Sequence, residues 1–473
     1  MLSVAKRTVL WSGVQHFSLY GLPLILTLLV SRLISPDDYG IVAYTVVFFS
    51  ITQAFIDFGL ESSLIQKKDI SALDFNTAFI FTTSLGLVAY IAFFLAAPYI
   101  AAYFEVPVLE QVVRVSAIIL LLRAASIVPY AKLQRELNFK AIARITFFVT
   151  LISGGLTIFL LYRGLAYWAL IIQSLFTATV MLILYVCIAK WKFSFKFSGV
   201  SLKKLLNYGM PLMFTSVINA VYGSLYSLFI GKKFGEKQLG LYNRGSSLAG
   251  YVPTNISDFT LRALFPIFSK HQDDKVFLRK QAIRTMHFTA FIVVPVNFFL
   301  MANASDLIQI ILKDKWMAMA PLIRVLCVAH LSYIVCNVHL NILKAVSRTK
   351  SLFACELIKK LLGILAILIT LPMGMMPMIW GFLVCSLLNV VVGALFTKPA
   401  IGLTLYEQIK SLLSILAIAA IAVNGAFYMA SFIENTYARL LLSGIVSVVL
   451  YLAGCLMVKD ESLPFFMKYI RRR

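Results

Sequence analysis

Acidic residues are scarce in this chain. Asp and Glu number 20 against 43 Lys and Arg, and charged residues of both signs make up only 13% of its 473 positions. Soluble domains carry roughly a quarter of their residues charged, so this composition excludes an ordinary water-soluble protein. Long polar stretches are also missing, and none of the connections between apolar runs could fold as a soluble domain. The six cysteines (Cys187, Cys327, Cys336, Cys355, Cys385 and Cys455) all fall in apolar runs. They have neither zinc nor disulfide-framework spacing, so packing is their expected role. No glycine-rich loop ends in Lys-Ser/Thr to cradle nucleotide phosphates, and no His-Glu-x-x-His pair could hold zinc. The histidines His16, His271, His287, His330 and His339 are scattered, a pattern of hydrogen-bonded structural residues rather than ligands. These absences argue against an enzyme, and no cofactor or metal is expected.

The chain is rich in apolar length. Hydrophobic residues make up 60% of it and the mean hydropathy is +0.89. Apolar runs long enough to cross a bilayer as helices lie near 9–33, 40–60, 76–101, 109–130, 142–162, 165–189, 206–230, 240–265, 284–303, 319–342, 352–371, 376–397, 407–430 and 437–458. The expected fold is all-α, a polytopic membrane protein with about 14 transmembrane helices. Lys6 and Arg7 imitate the start of a signal peptide. Gln15, His16 and Ser18 interrupt the run behind them and no convincing cleavage site follows, so it reads as a retained first span.

The net charge of +23 would suggest nucleic acid in a soluble protein. Here the bases gather in alternate short loops: Lys67 and Lys68; Lys132, Arg135, Lys140 and Arg144; residues 190–204; Lys270 to Arg284; Lys344, Arg348 and Lys350; and the tail Arg471-Arg472-Arg473. The positive-inside rule places these loops and both termini in the cytoplasm and removes nucleic acid as a partner. Lys232, Lys233 and Lys237 fall in a loop assigned to the other side and break the rule.

Between the first two runs lies Ser31-Arg32-Leu33-Ile34-Ser35-Pro36-Asp37-Asp38-Tyr39-Gly40. It reads as a tight turn in which Pro36 stops one helix and Gly40 starts the next. Residues 231–240 repeat its plan, with Lys232 at the position of Arg32 and Gly240 at that of Gly40. Asp57-Phe58-Gly59-Leu60-Glu61 is echoed by Asp258-Phe259-Thr260-Leu261-Arg262. Two echoes at nearly one offset indicate two structural halves, a design common among transporters. The division is 1–195 as an N-terminal six-helix bundle and 196–398 as a C-terminal one. Residues 399–473 add two further helices and a basic cytoplasmic tail.

Charges inside spans cost several kcal/mol unless they meet water, a partner or a polar ligand. Arg114, Arg123, Arg244, Arg262, Arg324, Lys359 and Lys360 are the bases, with Arg32 at a span end; Asp57, Glu61, Asp258 and Glu356 are the acids. The surplus of bases suits an aqueous cavity for an anion, and guanidinium forks match pyrophosphate. Arg32, Arg114, Arg244 and Arg324 stand near span ends, where reaching to lipid headgroups is an equal reading. Arg123 lies deeper and is assigned to the cavity. Asp57 and Glu61, spaced i,i+4, are expected to share one helix face. Either could pair with Arg262 as an inner gate, or as a permanent ion pair. A coupling proton or sodium ion would need a carboxylate, and Asp57 and Asp258 are the candidates.

The ordered motifs Arg32…Ser35-Pro36-Asp37-Asp38-Tyr39-Gly40, Asp57-Phe58-Gly59-Leu60, Pro129…Leu133-Gln134-Arg135-Glu136-Leu137-Asn138-Phe139, Leu239-Gly240-Leu241-Tyr242-Asn243-Arg244, Phe265-Pro266 and Leu312-Lys313-Asp314-Lys315-Trp316 carry a family resemblance. The chain resembles the Wzx-type polysaccharide flippases of the multidrug/oligosaccharidyl-lipid/polysaccharide (MOP) exporter superfamily. It departs from the family at Lys313-Asp314, where a Gly-Glu type turn is usual. The resemblance implies two pseudo-symmetric six-helix bundles around a central cavity. The cargo it implies is an undecaprenyl-pyrophosphate-linked oligosaccharide (O-antigen, capsule or exopolysaccharide), moved across the bacterial inner membrane by alternating access. Membrane lipids and polysaccharide polymerase machinery are the implied partners. By a more distant likeness to the lipid II flippases, Arg32 and Arg244 are implied to contact pyrophosphate. The competing reading is a proton- or sodium-coupled multidrug antiporter of the same fold, against which the excess of buried bases weighs. A membrane-embedded glycan transferase would need a larger outer loop than any present.

Overall fold

Two residues separate the first two helices, α1 (Leu22–Leu33) and α2 (Pro36–Asp57). Ser35 caps α2, its Oγ accepting from the Asp38 backbone N–H at 3.1 Å. Pro36 opens that helix, where a missing N–H costs nothing, and Asp37 and Asp38 face its positive end. The serine cap and the proline thus start the second helix, and Gly40, expected to open it, lies inside it.

The computed structural model describes residues 21–191, 193–458 and 460, without the side chains of Arg262, Ala263 and Thr349. Of the expected first span, residues 9–20 lie outside this description. The helices continue with α3 (Leu60–Gln66), α4 (Ala72–Phe104), α5 (Leu109–Ser116), α6 (Ile118–Arg135), α7 (Phe139–Tyr162), α8 (Tyr167–Ala189) and α9 (Gly199–Lys270). Then come α10 (Lys275–Ala302), α11 (Ala304–Ile311), α12 (Ala320–Ala345), α13 (Thr349–Thr370), α14 (Met375–Ile401), α15 (Leu405–Ala430) and α16 (Thr436–Met457). No strand occurs among the described residues, as the all-α expectation requires. Eleven helical stretches among them are long and apolar enough to cross a membrane. In lipid, a helix satisfies its own backbone hydrogen bonds, which is why a chain this apolar adopts no other element.

The chain forms two compact units, 1–240 and 241–473, a division made by packing rather than by the six-helix count drawn at 195. In the first, α6 packs against α4 and α8, α7 against α8, and α1 against α7. Leu60, Leu64, Phe75, Ala78, Val128, Ala131 and Leu205 form one of its cores. Small residues set the spacing, since a Cβ added at Gly86 would stand 2.6 Å from the Ala124 Cβ. In the second unit α15 packs against α16 and α10, and α12 against α14 and α10. A bidentate pair from Arg439 to Asp306 (2.7 and 2.6 Å) ties α16 to α11 there.

The expected loop at 231–239 is not a loop. Helical structure runs through α9, interrupted by non-helical backbone only at Gly235 (φ 79°, ψ 179°), a conformation that favours glycine. The two copies of the turn pattern meet here. A Cβ on Gly40 would collide with the Glu236 carbonyl oxygen, and one on Gly240 with that of Pro36. Tyr44 closes the contact, donating from its hydroxyl to the Gly231 carbonyl at 2.8 Å.

This arrangement also accounts for one misplaced base. Lys232 pairs with Glu105 at 2.9 Å and donates to the Tyr103 carbonyl, so its charge is met by an acid of the neighbouring connection. Lys232 holds the exposed Glu105 carboxyl below the usual carboxylate range.

Two outcomes follow. Gly40→Ala or Gly240→Ala is expected to destabilise the detergent-solubilised protein by about 1–3 kcal/mol, since backbone cannot retreat as a side chain can. Thermal unfolding measures this, and unchanged melting would refute the contact. Glu105, its carboxyl depressed in the folded state, contributes stabilisation at neutral pH that is lost as pH falls through that depressed value. In Lys232→Gln an NMR titration should find the Glu105 carboxyl moved up toward its ordinary range; no movement would mean the pair does not form.

Candidate functional site

A cavity of about 460 Å³ opens inside the first unit. Helix α6 contributes Arg123, Ser126 and Tyr130 to its wall; α8 contributes Gln173, Ser174, Thr177 and Tyr185; α2 contributes Gln53 and α3 Glu61. Arg123 stands near the middle of the apolar stretch Leu109–Arg135 and its side chain remains accessible. Among the described residues it has no hydrogen bond and no ion pair. A guanidinium at that depth is tolerable where water or a polar ligand can reach it, and the cavity provides that access. Ser126 and Ser174 donate their hydroxyl protons to carbonyls one turn back, Leu122 at 2.8 Å and Leu170 at 2.9 Å. The rings of Tyr130 and Tyr185 lie 5.2 Å apart.

The sequence placed Asp57 and Glu61 on one continuous helix face, and the structure corrects this. Phe58 (φ 50°) and Gly59 (φ 65°) are both left-handed and break the helix between the two acids. The acids remain neighbours for a different reason: the Glu61 backbone N–H reaches Asp57 Oδ1 at 3.4 Å, at the open end of α3. Glu61 accepts from Gln134 Nε2 at 3.2 Å. Arg135, one residue on, donates to the carbonyls of Leu64, Ile65, Lys67 and Lys68, which fixes the far end of α3. The short helix that presents Glu61 to the cavity is therefore held at both ends.

The other expected site residues are dispersed. Arg32 is exposed in the last turn of α1. In the second unit Arg244 is 2% exposed. Asp258 accepts from the Tyr333 hydroxyl at 3.0 Å and from Asn337 Nδ2 at 2.8 Å. The side chain of Arg262, expected to pair with Asp57 or Glu61, lies outside the described residues. Arg114 pairs with Glu110 at 2.9 Å, Arg324 donates to Ser305 at 2.9 Å, and Lys359 pairs with Glu356 at 3.1 Å. His287, His330 and His339 all sit in hydrogen bonds, to Ser411 and Asp460, Ser246, and Gln408 respectively.

Sequence reasoning missed the polar stripe of α8. Residues 173, 177, 181 and 185 recur every fourth position and so share one helix face. That spacing, with Gln173 and Thr177 inside an apolar run, was the available signal. Polar residues at 123, 126 and 130, spaced three and four apart, give the same signal on α6.

Comparison with known proteins agrees with this architecture. A family described as "Polysaccharide biosynthesis protein" matches residues 29–321. The lipopolysaccharide biosynthesis protein WzxC of Escherichia coli (strain K12) is 26% identical over 87% of this chain and 85% of its own length. Among solved structures, the inward closed conformation of the lipid II flippase MurJ superposes with a TM-score of 0.72 at 15% identity, covering 94% of this chain and 99% of MurJ. An inward-facing multidrug resistance MATE transporter gives 0.60 at 13% identity over 80% and 94%. The two structures establish the fold, and the family match covers more than half of the sequence. The chain belongs to the family described as "Polysaccharide biosynthesis protein".

Proposed function

We propose that this multi-pass membrane protein is a flippase that carries a lipid-linked oligosaccharide across the bacterial inner membrane. The observation that carries the reading is the cavity in the first unit, where Arg123 and a set of amides and hydroxyls line a space inside apolar helices. Sugar hydroxyls cannot enter hydrocarbon without losing their hydrogen bonds to water, and a polar cavity replaces them. WzxC, similar over most of this chain, is named for lipopolysaccharide biosynthesis, which supports a glycan cargo. The lipid carrier is undecaprenyl pyrophosphate, its prenyl chain staying in the bilayer while the glycan and pyrophosphate cross by alternating access. Arg32 and Arg244 are the proposed pyrophosphate contacts. Arg32 is exposed and Arg244 is enclosed, so the second contact needs its surroundings to open. The protein performs transport and no bond chemistry, with both termini in the cytoplasm and hand-over to a polysaccharide polymerase.

Asp258 and the Asp57–Glu61 pair are the proposed coupling groups. Asp258 accepts hydrogen bonds from two neutral donors, Tyr333 and Asn337.

In proteoliposomes, the native protein is expected to move a fluorescent undecaprenyl-pyrophosphate oligosaccharide between leaflets. No glycan movement, together with proton-linked efflux of an organic cation, would instead establish the drug-antiporter reading. Asp258→Asn should slow flipping about tenfold under an imposed proton or sodium gradient and abolish the response to that gradient. A variant that still responds would remove Asp258 from coupling.

A further inference from the structure

The connection from α8 to α9 reads Trp191-Lys192-Phe193-Ser194-Phe195-Lys196-Phe197-Ser198, with an aromatic residue at every second position. Its described residues form no helix or strand, yet they are firmly tied down. The backbone N–H groups of Ser194 and Ser198 donate to Asn76 Oδ1 and Thr77 Oγ1 in the first turns of α4, both at 3.1 Å. Ser201 donates its hydroxyl proton to Asp74, and Ser63 of α3 donates to the Leu205 carbonyl at 3.0 Å. This strap and the start of α9 are therefore stitched to α3 and α4 within the first unit. The serines face inward, and the rings between them turn out: Phe195 is 89% exposed and Phe197 52%, with Val200 beside them at 68%. Phe193 links them to the helices, its ring 5.1 Å from Phe79 of α4 and 4.6 Å from Phe195.

The charges around this row are of one sign. Lys190, Lys196, Lys203 and Lys204 are exposed, and none forms an ion pair or hydrogen bond among the described residues. Asp74, the acid that the connection touches, is buried and already committed to Lys67 at 2.7 Å and to Ser71 and Ser201. Exposed rings beside unanswered cations restrict what covers the strap. It joins the ends of two helical stretches long and apolar enough to cross a membrane, which places it where hydrocarbon gives way to water. At that depth phenylalanine rings enter the acyl boundary while lysines keep their ammonium groups at the headgroups. A zwitterionic headgroup would leave the lysines without net counter-charge. An anionic one answers both the rings and the cations.

We infer that the strap and the first turn of α9 form a docking surface for anionic phospholipids. Phe195, Phe197 and Val200 seat among the acyl chains, and Lys196, Lys203 and Lys204 meet the phosphates. The inference is independent of the cargo and of the cavity. Because the strap is tied to α3 and α4, lipid bound there also holds the start of α9 against the first unit.

The test places the photoreactive residue p-benzoylphenylalanine at Phe195 of the full chain, in lipid nanodiscs holding equal amounts of phosphatidylglycerol and phosphatidylcholine with identical acyl chains. After illumination, mass spectrometry identifies what the strap has captured. The expected adduct is phosphatidylglycerol over phosphatidylcholine by about tenfold. The ratio should fall toward parity in the combined variant Lys196→Gln, Lys203→Gln and Lys204→Gln, and also in about 1 M salt. Equal capture of the two lipids with all lysines present would mean ordinary contact with the bilayer and would overturn the proposal. Adducts joining two copies of the chain in place of lipid would make the strap a protein interface and overturn it as well. The same probe at Phe148, an exposed residue of α7, should capture the two lipids near parity. A preference there equal to that at the strap shows enrichment around the whole protein and refutes the site. If the triple variant does not fold, Lys196→Gln alone serves, and an unchanged ratio in it refutes the role of the lysines and with it the docking surface.

Discussion

A bare guanidinium in the middle of a bilayer costs several kcal/mol, and the first unit is arranged around that cost. Arg123 has no acid partner among the described residues, so its charge depends on the accessible space between α2, α6 and α8. Keeping that space open constrains its neighbours. The helix carrying Glu61 is capped at one end by Asp57 and pinned at the other by four hydrogen bonds from Arg135. The serines of the wall spend their protons on their own helices, so they face the cavity as acceptors.

The rest of the unit is assembled by a different force. Apolar side chains gain little by leaving lipid for one another, so close packing has to hold the helices together. Glycine and alanine allow that approach, as Gly86 does against Ala124 and Gly40 against the backbone near Glu236. Polar clamps supplement it at the helix ends, where water is near. Lys67 pairs with Asp74 at 2.7 Å, and Asn76 exchanges hydrogen bonds with Ser194 of the connection after α8.

Much of this was legible in the sequence, because membrane helices are announced by apolar length and by interruptions in it. The all-α class, the many apolar helices and the depth of Arg123 came from that signal. Connections were harder to read. Lys232, Lys233 and Lys237 look like a solvated loop by composition, yet one glycine turns the chain there and Glu105, more than a hundred residues earlier, supplies the neutralising charge. The break between Asp57 and Glu61 was equally hidden, since Phe58 is not a residue from which left-handed backbone is expected. Within the cavity, the arginine stood out by its charge. The glutamines and hydroxyls did not, because a polar side chain in a span reads the same whether it meets a neighbour or a ligand.

The crossing of Gly40 and Gly240 has a consequence for how such a chain can change over generations. The two glycines occupy matching places in a repeated pattern, and each lies against backbone of the other copy. Other paired positions of the pattern hold different residues, Arg32 against Lys232 and Pro36 against Glu236. At the two glycines a larger residue on either side pushes on the main chain beside its counterpart. The crossing therefore couples the two positions, so that a change tolerated at one depends on what stands at the other.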